Sequence, residues 1–257
     1  GSDMKKFFVF TTLIMLFLLS AQTGVTQSSK ELKAVKEDIK ALKEGQQAIQ
    51  KDIQEIKNQL KAKPAPAEFK ETVINVDGDP FKGSKDAKLA VIEFSDYQWP
   101  FCSRHVRETV SQIAKDYVDT GKIRYYFLDF PLGFHKQAFK AAEAGACAGD
   151  QGKFWEMHDM LFENQKALNP EDLVKYAESL GLDMPKFKEC LDGGKHAEEI
   201  NKDMAEGQKA GVSGTPSSLI GWVQDDGKSV KAVKIVKGAQ PYPAFKDAID
   251  SLLSPKK

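Results

Sequence analysis

Charge of one sign, long apolar runs and cysteine are all scarce in this sequence, and each scarcity narrows what the chain does. Its 257 residues carry 37 Lys and Arg against 37 Asp and Glu, a formal net charge of zero. Nothing in that balance points to nucleic acid or an anionic membrane surface as a partner. The longest apolar run, Phe7 to Leu19, is too short to span a bilayer comfortably and suits the core of a signal peptide. There are three cysteines and four histidines, and His135, His158 and His196 stand at no metal-ligand spacing from a cysteine or an acid. No metal and no cofactor are therefore expected. There is also no phosphate-binding loop and no Ser-His-Asp constellation.

What is present falls into blocks. Gly1-Ser2-Asp3 precede Met4 and read as an expression remnant; Lys5 and Lys6 lead the apolar run, and the small residues Ser20, Ala21 and Gly24 follow it. Residues 1–27 are read as remnant plus signal peptide, with cleavage near Ala21. The mature chain is then periplasmic or otherwise exported, where disulfides persist.

Residues 28–63 carry an unbroken heptad pattern. Leu32, Ile39, Gln46, Ile53 and Leu60 occupy position a, and Val35, Leu42, Ile49 and Ile56 occupy position d. Glu31, Asp38 and Asp52 at g each face, on a parallel neighbour, the lysine five residues on: Lys36, Lys43 and Lys57. Isoleucine at both a and d favours more than two strands, so a homo-oligomer, with the trimer preferred, is expected through this coiled coil. The alternative is an amphipathic helix folded back on its own domain. Two prolines in residues 64–68 make a semi-rigid linker.

Residues 69–257 alternate strand and helix. Thr72–Val76 is β-like, Ala87–Phe94 reads as a buried strand, and Ile123–Phe130 as a second. Between these two strands, after Pro100, Val106, Val110, Ile113 and Tyr117 share one helical face. A helical insert follows over about 135–208, with Asn169 as an N-cap and Pro170 at the first helical position. Ser217–Val223 and Ser229–Val236 form a hairpin around Asp225-Asp226-Gly227, and a last helix turns Phe245, Ile249, Leu252 and Leu253 inward. Trp155, Phe154 and Trp222 read as packing residues. The class is α/β with a helical subdomain inserted.

Five blocks in order carry a family likeness: Val91 to Asp96 running into Pro100-Phe101-Cys102; Phe130-Pro131-Leu132 before His135; Cys147 to Phe162; Gly211 to Pro216; and Gly238 to Tyr242. Together they resemble the DsbA-like branch of the thioredoxin superfamily over roughly residues 70–253. The resemblance implies a thioredoxin fold with the helical insert, preceded here by the coiled-coil helix. It also implies a thiol–disulfide oxidoreductase or isomerase acting on secreted or misfolded proteins and recharged by a membrane redox partner. It places the attacking-cysteine position at Trp99, the resolving cysteine at Cys102 and a buried proton-handling acid at Glu93. A groove forms beside Pro100, Phe101, Thr215 and Pro216, with the proline cis.

The departure is Trp99. Indole neither attacks a disulfide nor carries two electrons, so redox turnover of this chain is expected to be lost. Two readings of Trp99 stand: a change that disables an exchange enzyme, or a natural feature of a peptide-binding, chaperone-like or scaffolding protein whose groove is lined by Trp99, Phe101 and Pro216. Cys147 and Cys190 are expected to pair as a structural disulfide in an exported protein, leaving Cys102 single; the alternative is two buried free thiols that pack as small apolar residues. His105 reads as a surface or packing residue that tunes Cys102 if exposed.

Overall fold

The computed structural model describes residues 32–57 and 69–254. The segment read as remnant and signal peptide (1–27), both ends of the heptad segment and the linker 64–68 lie outside the described residues. Within the first unit, residues 32–57 form a helix, α1, that runs through Gly45 without a break. Its a and d side chains are exposed, with Leu42 at 73% and Ile49 at 60%.

In the second unit, six strands build one sheet: β1 (Thr72–Asn75), β2 (Phe81–Gly83), β3 (Leu89–Ser95), β4 (Ile123–Asp129), β5 (Ser217–Val223) and β6 (Ser229–Lys237). Their order is β1-β6-β5-β3-β4-β2. Only β3 and β4 pair in parallel, with Glu93 opposite Phe127; the other neighbours are antiparallel. The central strands β3 and β4 are buried along their whole length. In β3, Ala90, Ile92 and Phe94 enter a cluster with Val212 and Leu219, while Leu89 and Val91 enter one with Ile113 and Phe245. A strand covered on both faces reads as a continuous apolar run rather than an alternating one, as Leu89–Ile92 does within Ala87–Phe94. The three-residue β2 has no signature in the sequence because Lys82-Gly83 has no strand character. It is held by antiparallel pairing with β4 and by Phe81 packing on Tyr126, with centroids 5.1 Å apart.

The helix after the motif starts as α2 (Pro100–His105). It continues through π-helical turns Val106–Val110, the short α3 (Ser111–Ile113) and further π-helical turns Ala114–Val118. The wider turns shift the buried face. Cys102, His105, Thr109, Ile113 and Tyr117 point inward, whereas Val106 and Val110, expected there, are half-buried. Thr109 satisfies its hydroxyl by donating to the Gln240 carbonyl at 3.0 Å.

The insert comprises α4 (Ala138–Gly149), α5 (Phe154–Glu163), α6 (Pro170–Ser179), α7 (Met184–Gly193) and α8 (Ala197–Lys209). Asn169 caps α6, its side chain accepting from Asp172 N at 3.2 Å, with Pro170 at the first helical position. Phe127, Leu161, Leu173 and Phe187 fill the core between sheet and insert, with Phe154 and Trp155 packed against it. The last helix, α9 (Tyr242–Leu253), buries Phe245 and Ile249 completely. Leu253, expected inward, is 37% exposed because it falls on the final turn, and Trp222, expected to pack, is exposed to the same degree near the end of β5. Gly221 sits at a bulge where a Cβ would lie 2.0 Å from the Lys231 carbonyl oxygen, so only glycine fits.

Candidate functional site: a helix-capping turn headed by tryptophan

β3 delivers the chain directly into the motif, and Asp96 organises the turn. Its Oδ1 accepts from Gln98 N at 2.7 Å, while its Oδ2 accepts from Leu132 N at 2.7 Å and lies 2.8 Å from His135 Nδ1. The loop 131–135 is thereby tied to the turn. Gln165, from the insert, donates to the carbonyls of Tyr97 at 2.7 Å and Trp99 at 3.0 Å. Trp99 itself is extended (φ −84°, ψ 119°) and stands at the N-cap of α2, with Pro100 locking the first helical φ.

Behind this turn lies a buried polar pocket. Cys102 is fully buried, and its thiol is pushed up to about 12 by burial and by the Glu93 carboxylate, with the Ser95 and Thr215 hydroxyls offsetting part of the rise. Glu93 is also fully buried and accepts a short hydrogen bond from the Tyr125 hydroxyl. Burial, reinforced by Glu93, holds that phenol protonated well above its usual range. His105 Nε2 lies 3.9 Å from Glu93 Oε2. His105 is not the surface or tuning residue the sequence reading allowed: it is 1% exposed, packs on Phe245 with centroids 5.0 Å apart, and is pushed down by burial against the opposing pull of Glu93. It is therefore neutral near pH 7.

The Thr215–Pro216 bond is cis. Thr215 and Pro216, which lead into β5, are both buried. In front of the thiol the surface is aromatic. Trp99 is half-buried, with ring centroids 5.1 Å from Phe101, 5.4 Å from His135 and 6.1 Å from Phe134. Phe101 is 46% and Phe134 68% exposed. The fold thus brings Trp99, Pro100, Phe101 and Cys102 together with Glu93 and Thr215. It adds Tyr125, Asp96, His135, Phe134 and Gln165, which sequence reasoning did not assign to the site, and His105, which it weighed there only as an exposed tuning residue. The parallel register of β3 and β4, setting Val91 opposite Tyr125, is the one signal that could have pointed to Tyr125.

Chemically, this arrangement can hold a thiol and a carboxylate out of water. It offers no exposed sulfur at the start of α2, where the helix dipole and first-turn N–H groups would stabilise a thiolate. Away from the turn, Cys147 and Cys190 are bonded, at S–S 1.98 Å, and join α4 to α7. The spacing argument against a metal-ligating histidine does not hold in three dimensions. A ring nitrogen of His196 lies within 4.8 Å of both of these sulfurs.

A mixed sheet with a cis proline facing a helix-capping x-Pro-Phe-Cys turn, and a helical insert after β4, defines a DsbA-like protein of the thioredoxin superfamily. The sequence profile of the Thioredoxin family matches residues 75–250, and the chain belongs to that family. Among solved structures, oxidised BdbD from Bacillus subtilis is similar at 27% identity and TM-score 0.62, over 72% of this chain and 98% of that one. A thioredoxin-like oxidoreductase from Silicibacter pomeroyi is similar at 25% identity and TM-score 0.58, covering 69% and 94%. Alpha-DsbA1 from Wolbachia pipientis shares the fold, at 24% identity and TM-score 0.59 over 70% and 92%. Among curated relatives, a Na+/H+ antiporter NhaA 1 of Salinispora arenicola is 38% identical over 148 residues, which are 57% of this chain and 22% of that protein. The chain thus matches about a fifth of such relatives, and their transport activity does not carry over. Among the described residues no helix is long and apolar enough to cross a membrane.

Proposed function

We propose that this chain is an exported, DsbA-like protein that holds secreted or misfolded polypeptides in the groove beside Trp99, without thiol–disulfide turnover. One observation carries the reading. The residue at the head of α2 is an indole, while the lone thiol behind it is 0% exposed and pushed up to about 12. A thiol so placed is protonated near neutrality, and only the thiolate attacks a disulfide. What remains is an aromatic surface. Phe101 and Phe134 are large, exposed and flank Trp99, as a platform for apolar side chains of an extended chain requires.

The segment 28–63 supplies multiplicity. Exposed a and d residues along α1 and complementary g and e charges favour a parallel homo-oligomer, with three copies preferred. Several grooves on one assembly raise avidity for a misfolded chain without any new contact. The oxidoreductase or isomerase function of the ancestral site, with a membrane redox partner to recharge it, belongs to a chain with cysteine at position 99.

The test is fluorescence anisotropy with a permanently unfolded, carboxymethylated polypeptide. Binding should saturate, survive Cys102→Ala, weaken several-fold in Phe101→Ser/Phe134→Ser, and lose avidity on truncation before Pro64. Binding that disappears in Cys102→Ala, or that ignores the two phenylalanines, overturns the proposal.

A further inference from the structure

We propose that the Cys147–Cys190 disulfide is the closed form of a site for one thiophilic divalent cation of the Zn2+ class, built from Cys147, Cys190, His196 and Asp150. The disulfide joins the C-terminal turn of α4 to the last turns of α7, and His196 sits at the N-cap of α8. Both sulfurs and a His196 ring nitrogen lie within 4.8 Å of one another. Asp150 Oδ2 stands beside this group, 2.9 Å from His196 Nε2 and 3.6 Å from Cys190 Sγ, as the fourth donor. A tetrahedral zinc with bonds of about 2.0 to 2.3 Å needs its ligand atoms roughly 3.3 to 3.8 Å apart. The N–O and S–O separations approach that already, and the two sulfurs reach it by parting once the bond between them is cut.

The surroundings suit a metal better than they suit a bare staple. Glu199 Oε2 lies 2.5 Å from His196 Nδ1 and keeps the proton on that nitrogen, while Nε2, now 2.9 Å from Asp150 Oδ2, exchanges that hydrogen bond for the cation. Two thiolates and one carboxylate around a dication leave one negative charge, and Lys195 Nζ sits 2.8 Å from Asp150 Oδ2 to balance it. A cleft of about 670 Å³ lined by Cys147, Asp150, Cys190 and Lys195 gives an ion its way in. The chemistry balances with a dithiol as reductant. Two electrons and two protons pass from the dithiol to Cys147–Cys190, the reductant leaves as its own disulfide, and the entering cation releases the two thiol protons, together with any proton on His196 Nε2, to water. The cation then ties α4, α7 and α8 together where the disulfide ties only α4 and α7.

The experiment is a Co2+ titration of the full chain carrying Cys102→Ala, so that only two thiols report, after anaerobic reduction and removal of the reductant. One equivalent of Co2+ should give tetrahedral d–d absorption with a thiolate charge-transfer band, release at least two protons, and yield to Zn2+. The oxidised protein should give neither band, and His196→Ala should weaken binding at least about 10-fold while keeping the thiolate band. If reduction alone unfolds the chain, far-UV circular dichroism should recover on adding the ion. Failure to recover, absence of tetrahedral absorption, equal binding by oxidised and reduced protein, or an unchanged affinity in His196→Ala each overturns the site.

Discussion

Replacing Trp99 with cysteine should turn this chain into a working thiol–disulfide exchanger. Position 99 is the N-cap of α2 with Pro100 behind it, so the new sulfur meets the positive end of the helix and its first-turn N–H groups. A partly buried helix terminus stabilises a negative charge by up to ~2 kcal/mol, and one pKa unit is about 1.4 kcal/mol. The thiol introduced by Trp99→Cys should therefore titrate near about 7 rather than about 8.5, which raises its thiolate share at pH 7 roughly 15-fold over a free cysteine. Residues three apart at a helix start hold their Cα atoms about 5–6 Å apart, inside the range a disulfide spans, so the introduced sulfur and that of Cys102 should bond on oxidation. The pH profile of iodoacetamide labelling reads the first quantity. The loss of two hydrogens by mass spectrometry reads the second, and reduction of insulin should rise at least about 10³-fold over the parent chain, in which no exposed thiolate competes. An introduced thiol that titrates at or above the ordinary range, or that stays free of Cys102 in the oxidised variant, refutes the reading of residue 99.

Three further outcomes follow from the same geometry. Cys102 in the folded parent chain should label with iodoacetamide at pH 8 at least about 10³-fold more slowly than after unfolding, since burial and Glu93 push its thiol up to about 12; comparable rates would mean the sulfur is open. Asp79 is pushed up to about 7 by burial, beside an Asp203 pushed to about 10, so the folded chain keeps a proton that the unfolded chain gives up above about pH 4, and stability falls as pH rises towards 7. Asp79→Asn should flatten that slope and stabilise the chain at pH 8 by on the order of 2 kcal/mol in urea denaturation, and an unchanged slope counts against the paired acids. Removing the disulfide with Cys147→Ala/Cys190→Ala frees a closure across 43 positions and should cost about 4 kcal/mol in the chain-entropy treatment; a loss below about 1 kcal/mol would show that the unfolded chain does not profit from the released constraint.

The fold was legible where one residue pattern had one physical solution. Leu89–Ile92 is apolar on both faces because two clusters cover it, and Asn169-Pro170 starts a helix because the amide caps and the ring presets φ. The pattern failed where tertiary packing decided instead. β2 exists only because β4 offers it an edge, and the π-helical turns that bury Thr109 leave no mark in apolar spacing. At the site, the Trp99-Pro100-Phe101-Cys102 turn, Glu93 and Thr215-Pro216 stood out as local motifs. His105 and Tyr125 did not, since what matters about each is its distance to a carboxylate on another strand or helix. His196 is silent in the sequence for the same reason: chain spacing says nothing of a cap residue that three helices bring against a disulfide.

Turnover of a disulfide substrate by the unaltered chain, run beside Cys102→Ala at about pH 7, where a thiol pushed far above its usual range stays protonated, bears most directly on the proposal that Trp99 has taken the exchange chemistry away. Both proteins should sit at the uncatalysed background. Multiple turnovers by the unaltered chain that vanish in Cys102→Ala would mean that the buried sulfur works without a partner at 99, and the proposal would be wrong.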